Sequence, residues 1–411
     1  MKVEQLALQR KRYAHLSDEE WRWMLQQVEG RQRTCDKLPT FAQIADWWYP
    51  VRLSCEQCSS EATARYKAQL ISSLPWKGRS GGVLTDLTGG YGVDTYFMSE
   101  HAQEAHYVEQ NAELCRIATH NFALTRPHVQ IHNTSAESFL ASLPDSPTGV
   151  IYIDPARRDK NGGKVFRLED CEPNVVQLLP TMLSKAKQII IKLSPMLDIT
   201  QALRSLPIPF DVHIVAVNNE VKEVLLLSKT DNTTPTIHAI NLQPIPNTPF
   251  PNRESQVQQI FSFTQEEEKQ SVSRLLNPTI IGFPNRDSRV QQSSVSRLAT
   301  PDTYLYEPNA AIIKAGAFKL VAQRFGLCKM APNTHLYYSE QMVEDFPGRV
   351  WRIMEVNPKD TKNICASILT RNYPLTPDQL RKKLKVKEGD LLTIIGARLG
   401  DKPTLFLCEK I

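Results

Sequence analysis

Val83-Leu84-Thr85-Asp86-Leu87-Thr88-Gly89-Gly90-Tyr91-Gly92-Val93-Asp94-Thr95 is the stretch that decides the fold. An apolar run breaks there into a glycine-dense turn that opens with an acid, the pattern of a strand, a turn and a helix around a nucleotide-type ligand. Gly90 and Gly92 let the backbone approach a ligand and accept positive φ. A helix starting near Asp94 points its free N–H groups into the turn. Many α/β strands end in such a turn, so the spacing downstream matters. A second apolar segment, Ala105-His106-Tyr107-Val108, ends in Glu109, twenty-three positions after Asp86. Doubly wound folds place there the acid that holds a ribose diol. An adenosine-containing cofactor is therefore expected. A carboxylate in front of the glycines would repel a pyrophosphate but can hold the amino group of a methionine moiety, which favours S-adenosylmethionine (SAM) over NAD.

Two further segments follow in order: Ala118-x-x-Asn121 on the helix after Glu109, and Ile151-Tyr152-Ile153-Asp154-Pro155-Ala156-Arg157-Arg158. Together with the turn they resemble the class I SAM-dependent methyltransferases. The acid-x-Gly-x-Gly-x-Gly motif of that family is matched with Thr88 replacing the first glycine, a replacement often shown by RNA-directed members. Asp154 opens the segment where the catalytic Asp/Asn-Pro-Pro-aromatic motif is expected. More narrowly, the chain resembles a bacterial methyltransferase family with a THUMP-like C-terminal domain, known from Bacteroidetes such as Porphyromonas. That resemblance rests on Glu56-Gln57-Cys58-Ser59-Ser60-Glu61-Ala62-Thr63-Ala64-Arg65-Tyr66-Lys67, on Asp-Pro-Ala-Arg-Arg and on the C-terminal module, and it covers most of the chain. It implies a fold and a cofactor, not a substrate.

At 411 residues the chain can hold two or three domains, each with its own core. Met1-Lys2-Val3-Glu4-Gln5-Leu6 lacks the apolar stretch of a signal peptide, and no run approaches the roughly 18 apolar residues of a membrane span. Eight scattered cysteines suit a reducing compartment, so a cytoplasmic enzyme without a membrane partner is expected. Cys55-Glu56-Gln57-Cys58 has no second Cys or His pair at ligand spacing, which favours a structural role over zinc or redox chemistry. No metal is expected. Asp345 to Ile411 holds 13 Lys and Arg against 8 Asp and Glu, while the remainder balances at 36 against 36, so the whole excess of +5 sits in the last module.

The patterning gives an α/β chain in five parts. Residues 1–75 read as an N-terminal helical region, with Ser17 as an N-cap and a short helix at 40–48. Residues 76–230 read as a Rossmann-like class I methyltransferase domain. Its last two strands, His213 to Val217 and Glu223 to Ser228, are joined by Asn218-Asn219 as an antiparallel closing pair. Residues 231–302 read as a linker or insertion carrying a local duplication: Phe250 to Gln259 recurs at 283–292 and Ser271 to Leu275 at 294–298, with unequal offsets of 33 and 23. Residues 303–345 form a small α+β (ferredoxin-like) segment with a helix from Ala311 to Phe325. Residues 346–411 form a basic THUMP-like β-β-α-β-β domain that fits RNA binding or a plain α+β role.

Methyl transfer needs orientation and, where the nucleophile holds a proton, an acceptor. Asp154 is the best candidate, because it ends a buried strand at the carboxyl edge of the sheet and Pro155 restricts the turn after it; the rival role is a turn or N-cap carboxylate. Ala156-Arg157 departs from the Pro-aromatic pair that stacks on a flipped base, although Tyr152 or Phe166 could supply a stack. Arg157, Arg158 and Lys164 suggest phosphate or carboxylate contacts. The loop after the next strand has no cysteine, which disfavours pyrimidine C5 methylation; Lys192, Ser194 and Asp198 remain substrate-side candidates. Around SAM, Asp86, Thr88, Gly90 and Gly92 fall to the methionine side, Glu109 to the ribose, and Ser135 and Ala136 to the adenine. Asp154 borders the same site. Thr63 and Lys67 precede the first strand, where related enzymes often contact the cofactor's carboxylate, with helix packing as the rival. Lys382, Lys383 and Lys385 are the densest candidates for RNA backbone contacts. The leading expectation is a SAM-dependent methyltransferase acting on tRNA or rRNA. A protein or small-molecule acceptor, or SAM binding without catalysis, are the alternatives.

Overall fold

The computed structural model describes residues 2–73, 82–145, 149–157, 167–229, 231, 233–243, 257–272, 303–358, 361–362 and 364–411. The described chain forms two compact units, one built from Met1–Val217, Lys222–Pro235 and Leu242–Val257, the other from Asn218–Val221, Thr236–Asn241 and Gln258–Ile411.

In the first unit the strands are β1 (Gly82–Asp86), β2 (Ala102–Glu109), β3 (Val129–Asn133), β4 (Val150–Ile153), β5 (Gln188–Leu193), β6 (Phe210–Val217) and β7 (Glu220–Ser228). They lie in the order β3-β2-β1-β4-β5-β7-β6. β3, β2, β1, β4 and β5 run parallel, and β7 pairs antiparallel to β5. Runs such as Ile189-Ile190-Ile191 are buried on both faces, as a parallel sheet requires. Asn218 and Asn219 both take positive φ (51° and 64°), which closes the hairpin expected there with a turn whose twist suits the strands. The sheet order reverses direction between β1 and β4, so the carboxyl ends of those strands border a crevice.

The helix Asp18–Thr34 starts as expected: Ser17 Oγ accepts from the Glu20 N–H at 3.2 Å and Glu20 returns the bond to the Ser17 N–H at 2.7 Å. The helix expected at 40–48 is only a 3-10 turn, Phe41–Gln43. Asp46 takes φ 60° and turns the chain, which places Phe41 against Trp47 with ring centroids 4.2 Å apart in the core. Core packing overrides local propensity there.

In the second unit the strands are β8 (Tyr304–Pro308), β9 (Cys328–Ala331), β10 (Thr334–Ser339), β11 (Gly348–Val356), β12 (Cys365–Arg371), β13 (Lys387–Leu399) and β14 (Lys402–Lys410). They form one sheet ordered β9-β10-β8-β11-β14-β13-β12. β12 and β13 are parallel and joined through the helix Pro377–Leu384, which Thr376 caps. The single helix expected from Ala311 to Phe325 is two, Ala310–Ala315 and Phe318–Arg324, because Gly316 takes φ 78° and ends the first. Within 231–302, read as linker or insertion, Ile237–Gln243 and Val257–Phe263 are strands and Gln265–Gln270 is a helix opened by a Thr264–Glu267 capping box. Most of the repeated segments lie outside the described residues.

Candidate active site

The carboxyl ends of β1, β2, β4 and β5 open into a cavity of about 1210 Å³. Asp86, Thr88, Gly90, Gly92, Glu109, Ser135, Ala136, Asp154, Pro155 and Lys192 all line it. Residues as far apart in sequence as Asp86 and Lys192, 106 positions, are thus brought to one edge of the sheet.

The glycine turn is held from several sides. Asp86 is 1 % exposed; its Oδ2 accepts from Thr95 Oγ1 at 2.5 Å and its Oδ1 from the Thr88 N–H at 3.0 Å. Both oxygens of the carboxylate expected on the methionine side therefore brace the turn. Burial pushes its pKa up to about 7, against the pull of the Thr95 and Thr88 hydrogen bonds. Glu109 accepts the Gly90 N–H at 3.0 Å and the Asn111 N–H at 2.8 Å, one on each oxygen. Each oxygen keeps a second lone pair, which a ribose diol can use. Gly90 takes φ 55° and Gly92 φ 84°, and a Cβ at Gly89 would come 2.2 Å from the Tyr107 ring. These features fit the cofactor: an acid at the end of β2 with lone pairs to spare, and glycines where the turn takes positive φ. Ser135 caps the helix Ala136–Ser142 by accepting the Ser138 N–H at 3.2 Å.

Thr88 has a role that its position in the motif did not disclose. Its Oγ1 accepts the Asp154 N–H at 2.7 Å, so the residue standing for the motif's first glycine ties the turn to the Asp-Pro segment. Asp154 is partly exposed, and its Oδ2 lies 2.6 Å from Lys192 Nζ. Burial works to lower the pKa of Lys192, but Asp154, Asp94 and Glu223 outweigh it and hold the ammonium charged.

Thr63 and Lys67 are buried and do not line the cavity. Thr63 packs in the first turn of the helix Glu61–Ser72, where its N–H is capped by Ser60. Lys67 pairs with Glu223 at 2.6 Å and Asp94 at 3.2 Å. The packing alternative therefore describes both better than contact with a cofactor. Asp198 caps the helix Ile199–Arg204 by accepting the Gln201 N–H at 3.0 Å. Tyr152 is 1 % exposed and donates to Asp94 Oδ2 at 2.7 Å, so its ring offers no stacking face. The Arg157 backbone pairs with Cys171 in a two-stranded ribbon. The Arg157 side chain, Arg158, Lys164 and Phe166 lie outside what is described. Lys382, Lys383 and Lys385 are exposed on the second unit, at the end of Pro377–Leu384 and just beyond it.

Asp94 and Ser59, which line the cavity, were missed, as were the polar roles of Tyr152 and Glu223 behind them. Glu223 had a signal: an acid at the head of Val224-Leu225-Leu226-Leu227 is 2 % exposed, and a buried acid demands a cation. The eight cysteines are free, and the Cys58 thiol donates to the Cys55 carbonyl at 3.2 Å. Among the described residues no group of His, Cys, Asp and Glu could hold a metal ion, and no helix is long and apolar enough to cross a membrane.

Comparison with known proteins places the chain among relatives. Residues 304–347 match the ferredoxin-like domain and residues 348–410 the THUMP domain-like family. Two uncharacterized SAM-dependent methyltransferases from two strains of Mycobacterium tuberculosis are each 19 % identical over 391 residues, covering 92 % of this chain and 93 % of theirs. The crystal structure of a Porphyromonas gingivalis W83 protein assigned as a methyltransferase is 34 % identical, with a TM-score of 0.76, over 96 % of this chain and 92 % of that one. The chain belongs to this family of SAM-dependent methyltransferases with ferredoxin-like and THUMP-like C-terminal domains.

Proposed function

We propose that the protein methylates a nucleoside of tRNA or rRNA, holding SAM between Glu109 and the glycine turn and presenting the acceptor at Asp154. The observation that carries this reading is one cavity lined by Glu109 at the end of β2 and by Asp154 and Lys192 at the ends of β4 and β5, with Thr88 joining turn to Asp154. SAM supplies an electrophilic methyl carbon there. Asp154 accepts the proton that the nucleophile gives up, and Lys192, 2.6 Å away, fixes the carboxylate's direction. Arg157 stands where an aromatic would stack on a base, so the base is held by other walls of the cavity. The THUMP-like domain, with its excess of 13 basic over 8 acidic residues from Asp345 onward, supports a grip on the RNA backbone.

One observation favours a small-molecule or protein acceptor instead. Among the described lining residues eight are Asp or Glu and three are Lys or Arg, a lining that repels phosphate. RNA would have to insert a base while its backbone stays outside. Mass spectrometry of nucleosides from cells with and without the protein tests the choice: RNA methylation predicts one methylated nucleoside lost, and an unchanged nucleoside inventory refutes it.

A further inference from the structure

A buried cluster of charges runs from the cavity wall into the interior, and the roles above do not account for it. Lys67 is fully buried, with Nζ at 2.6 and 2.8 Å from the Glu223 carboxylate and 3.2 Å from Asp94 Oδ1. Ser59 Oγ accepts from Lys67 at 3.3 Å and from Lys192 at 3.1 Å, and donates to Asp94 Oδ2 at 2.8 Å. Lys192 Nζ lies 3.8 Å from Asp94 Oδ2 and 2.6 Å from Asp154. Two ammonium groups thus face three carboxylates in one continuous set of contacts, and the cluster is one positive charge short. Asp94 Oδ1 is buried and accepts no well-formed hydrogen bond, its compensation being the Lys67 ammonium 3.2 Å away that Glu223 also draws on. An uncompensated charge in such surroundings is costly. The cluster meets the cavity at Asp94, Asp154 and Lys192, where the wider lining is also acidic.

We propose that the missing positive charge is the ligand's, so that this cluster makes the cavity select the sulfonium form of the cofactor over its neutral thioether product. The proposal rests on the reading of the cavity as the SAM site. SAM and S-adenosylhomocysteine differ by one methyl group and one unit of positive charge, and their amino-acid and adenosine ends are the same. The ratio of their affinities therefore isolates the interaction with that charge. Lys67 and Glu223 do not line the cavity, so exchanging them changes the field at the ligand while the groups that touch it stay the same.

The test is calorimetric titration of both ligands into the full-length protein, into Glu223→Gln and into the double variant Lys67→Met/Glu223→Gln. Glu223→Gln removes one negative charge and makes the cluster neutral. The preference for SAM over S-adenosylhomocysteine should then fall by on the order of tenfold, about 1.4 kcal/mol of interaction with the ligand's charge. The double variant removes one charge of each sign and should restore the ratio. An unchanged ratio in Glu223→Gln overturns the proposal. So does a lowered ratio that the double variant fails to restore, because the effect would then be structural. If circular dichroism shows Glu223→Gln unfolded, Asp94→Asn makes the same change in charge and is expected to lower the ratio likewise. A wild-type protein that binds neither ligand overturns the cavity reading itself, an outcome separable from binding of both ligands with an indifferent ratio.

Discussion

Replacing Asp86 by Asn should make the protein's stability less sensitive to pH between about 4 and 7, and should leave it more stable than wild type above that range. The carboxyl group is 1 % exposed, and burial raises its pKa from an ordinary 3.8 to about 7; neighbouring Asp94 and Asp154 add to this, while hydrogen bonds from Thr95 and Thr88 oppose it. The unfolded chain loses this proton near pH 4 and the folded chain keeps it to about pH 7. Between those values the folded state binds the extra proton, so its stability falls as pH rises through the window and is flat beyond it. At 1.36 kcal/mol per pKa unit the full effect is about 4 kcal/mol. Asn copies the protonated acid: its oxygen can accept the Thr88 N–H and its amide can donate to Thr95 Oγ1. Urea unfolding of both proteins at pH 5 and pH 8.5 measures the difference. The wild type should lose about 2–3 kcal/mol relative to Asp86→Asn between the two pH values, since part of the window lies below pH 5. A difference that stays constant would show that the buried carboxyl ionises like an exposed one, and the burial argument would fail.

Three other outcomes are expected. Glu109→Ala should weaken S-adenosylhomocysteine binding by about 1.5–3 kcal/mol, the worth of hydrogen bonds to a charged group, and calorimetry showing equal affinity would remove Glu109 from the ribose. Asn121→Ala should destabilise the first unit by about 2–3 kcal/mol, because the Asn121 amide accepts the Trp48 N–H at 2.8 Å and donates to its C=O at 2.9 Å from a site 2 % exposed; an unchanged melting temperature would contradict this. Replacing Lys382, Lys383 and Lys385 by Gln should weaken binding of structured RNA and flatten its dependence on log salt by roughly 0.7–0.9 for each phosphate no longer neutralised, while ligand binding at the cavity stays as it was. An unaltered slope would assign those lysines to a helix end favoured by its own dipole.

The local devices of the fold are written in short stretches of chain and could be read there. The acid-led glycine turn, the Ser17 and Thr376 caps and the Asn218-Asn219 hairpin each depend on neighbours a few positions away, and the acid twenty-three residues on follows the length of one strand-helix-strand unit, so propensity and spacing suffice to find them. The same holds for most of the ligand-facing side of the cavity, since strand ends and turns of a doubly wound sheet converge by topology. What the sequence left open depends on partners far apart in the chain. Lys67 could contact a cofactor or pack in a helix; the choice is made by Glu223, 156 positions away, which meets it in a dry interior. Asp86 reads from the sequence only as a ligand residue; that its two oxygens also brace the turn depends on Thr95 and Thr88 meeting a nearly buried carboxyl. The chain leaves the helical path at Ile44 and Gly316 where periodicity alone would have continued it, because Phe41 and Trp47 must share one core and Gly316 takes a positive φ at no steric cost. Charge balance is the clearest case: no local pattern reveals that two lysines and three carboxylates meet around Ser59, since only packing removes the water that would otherwise make their count irrelevant.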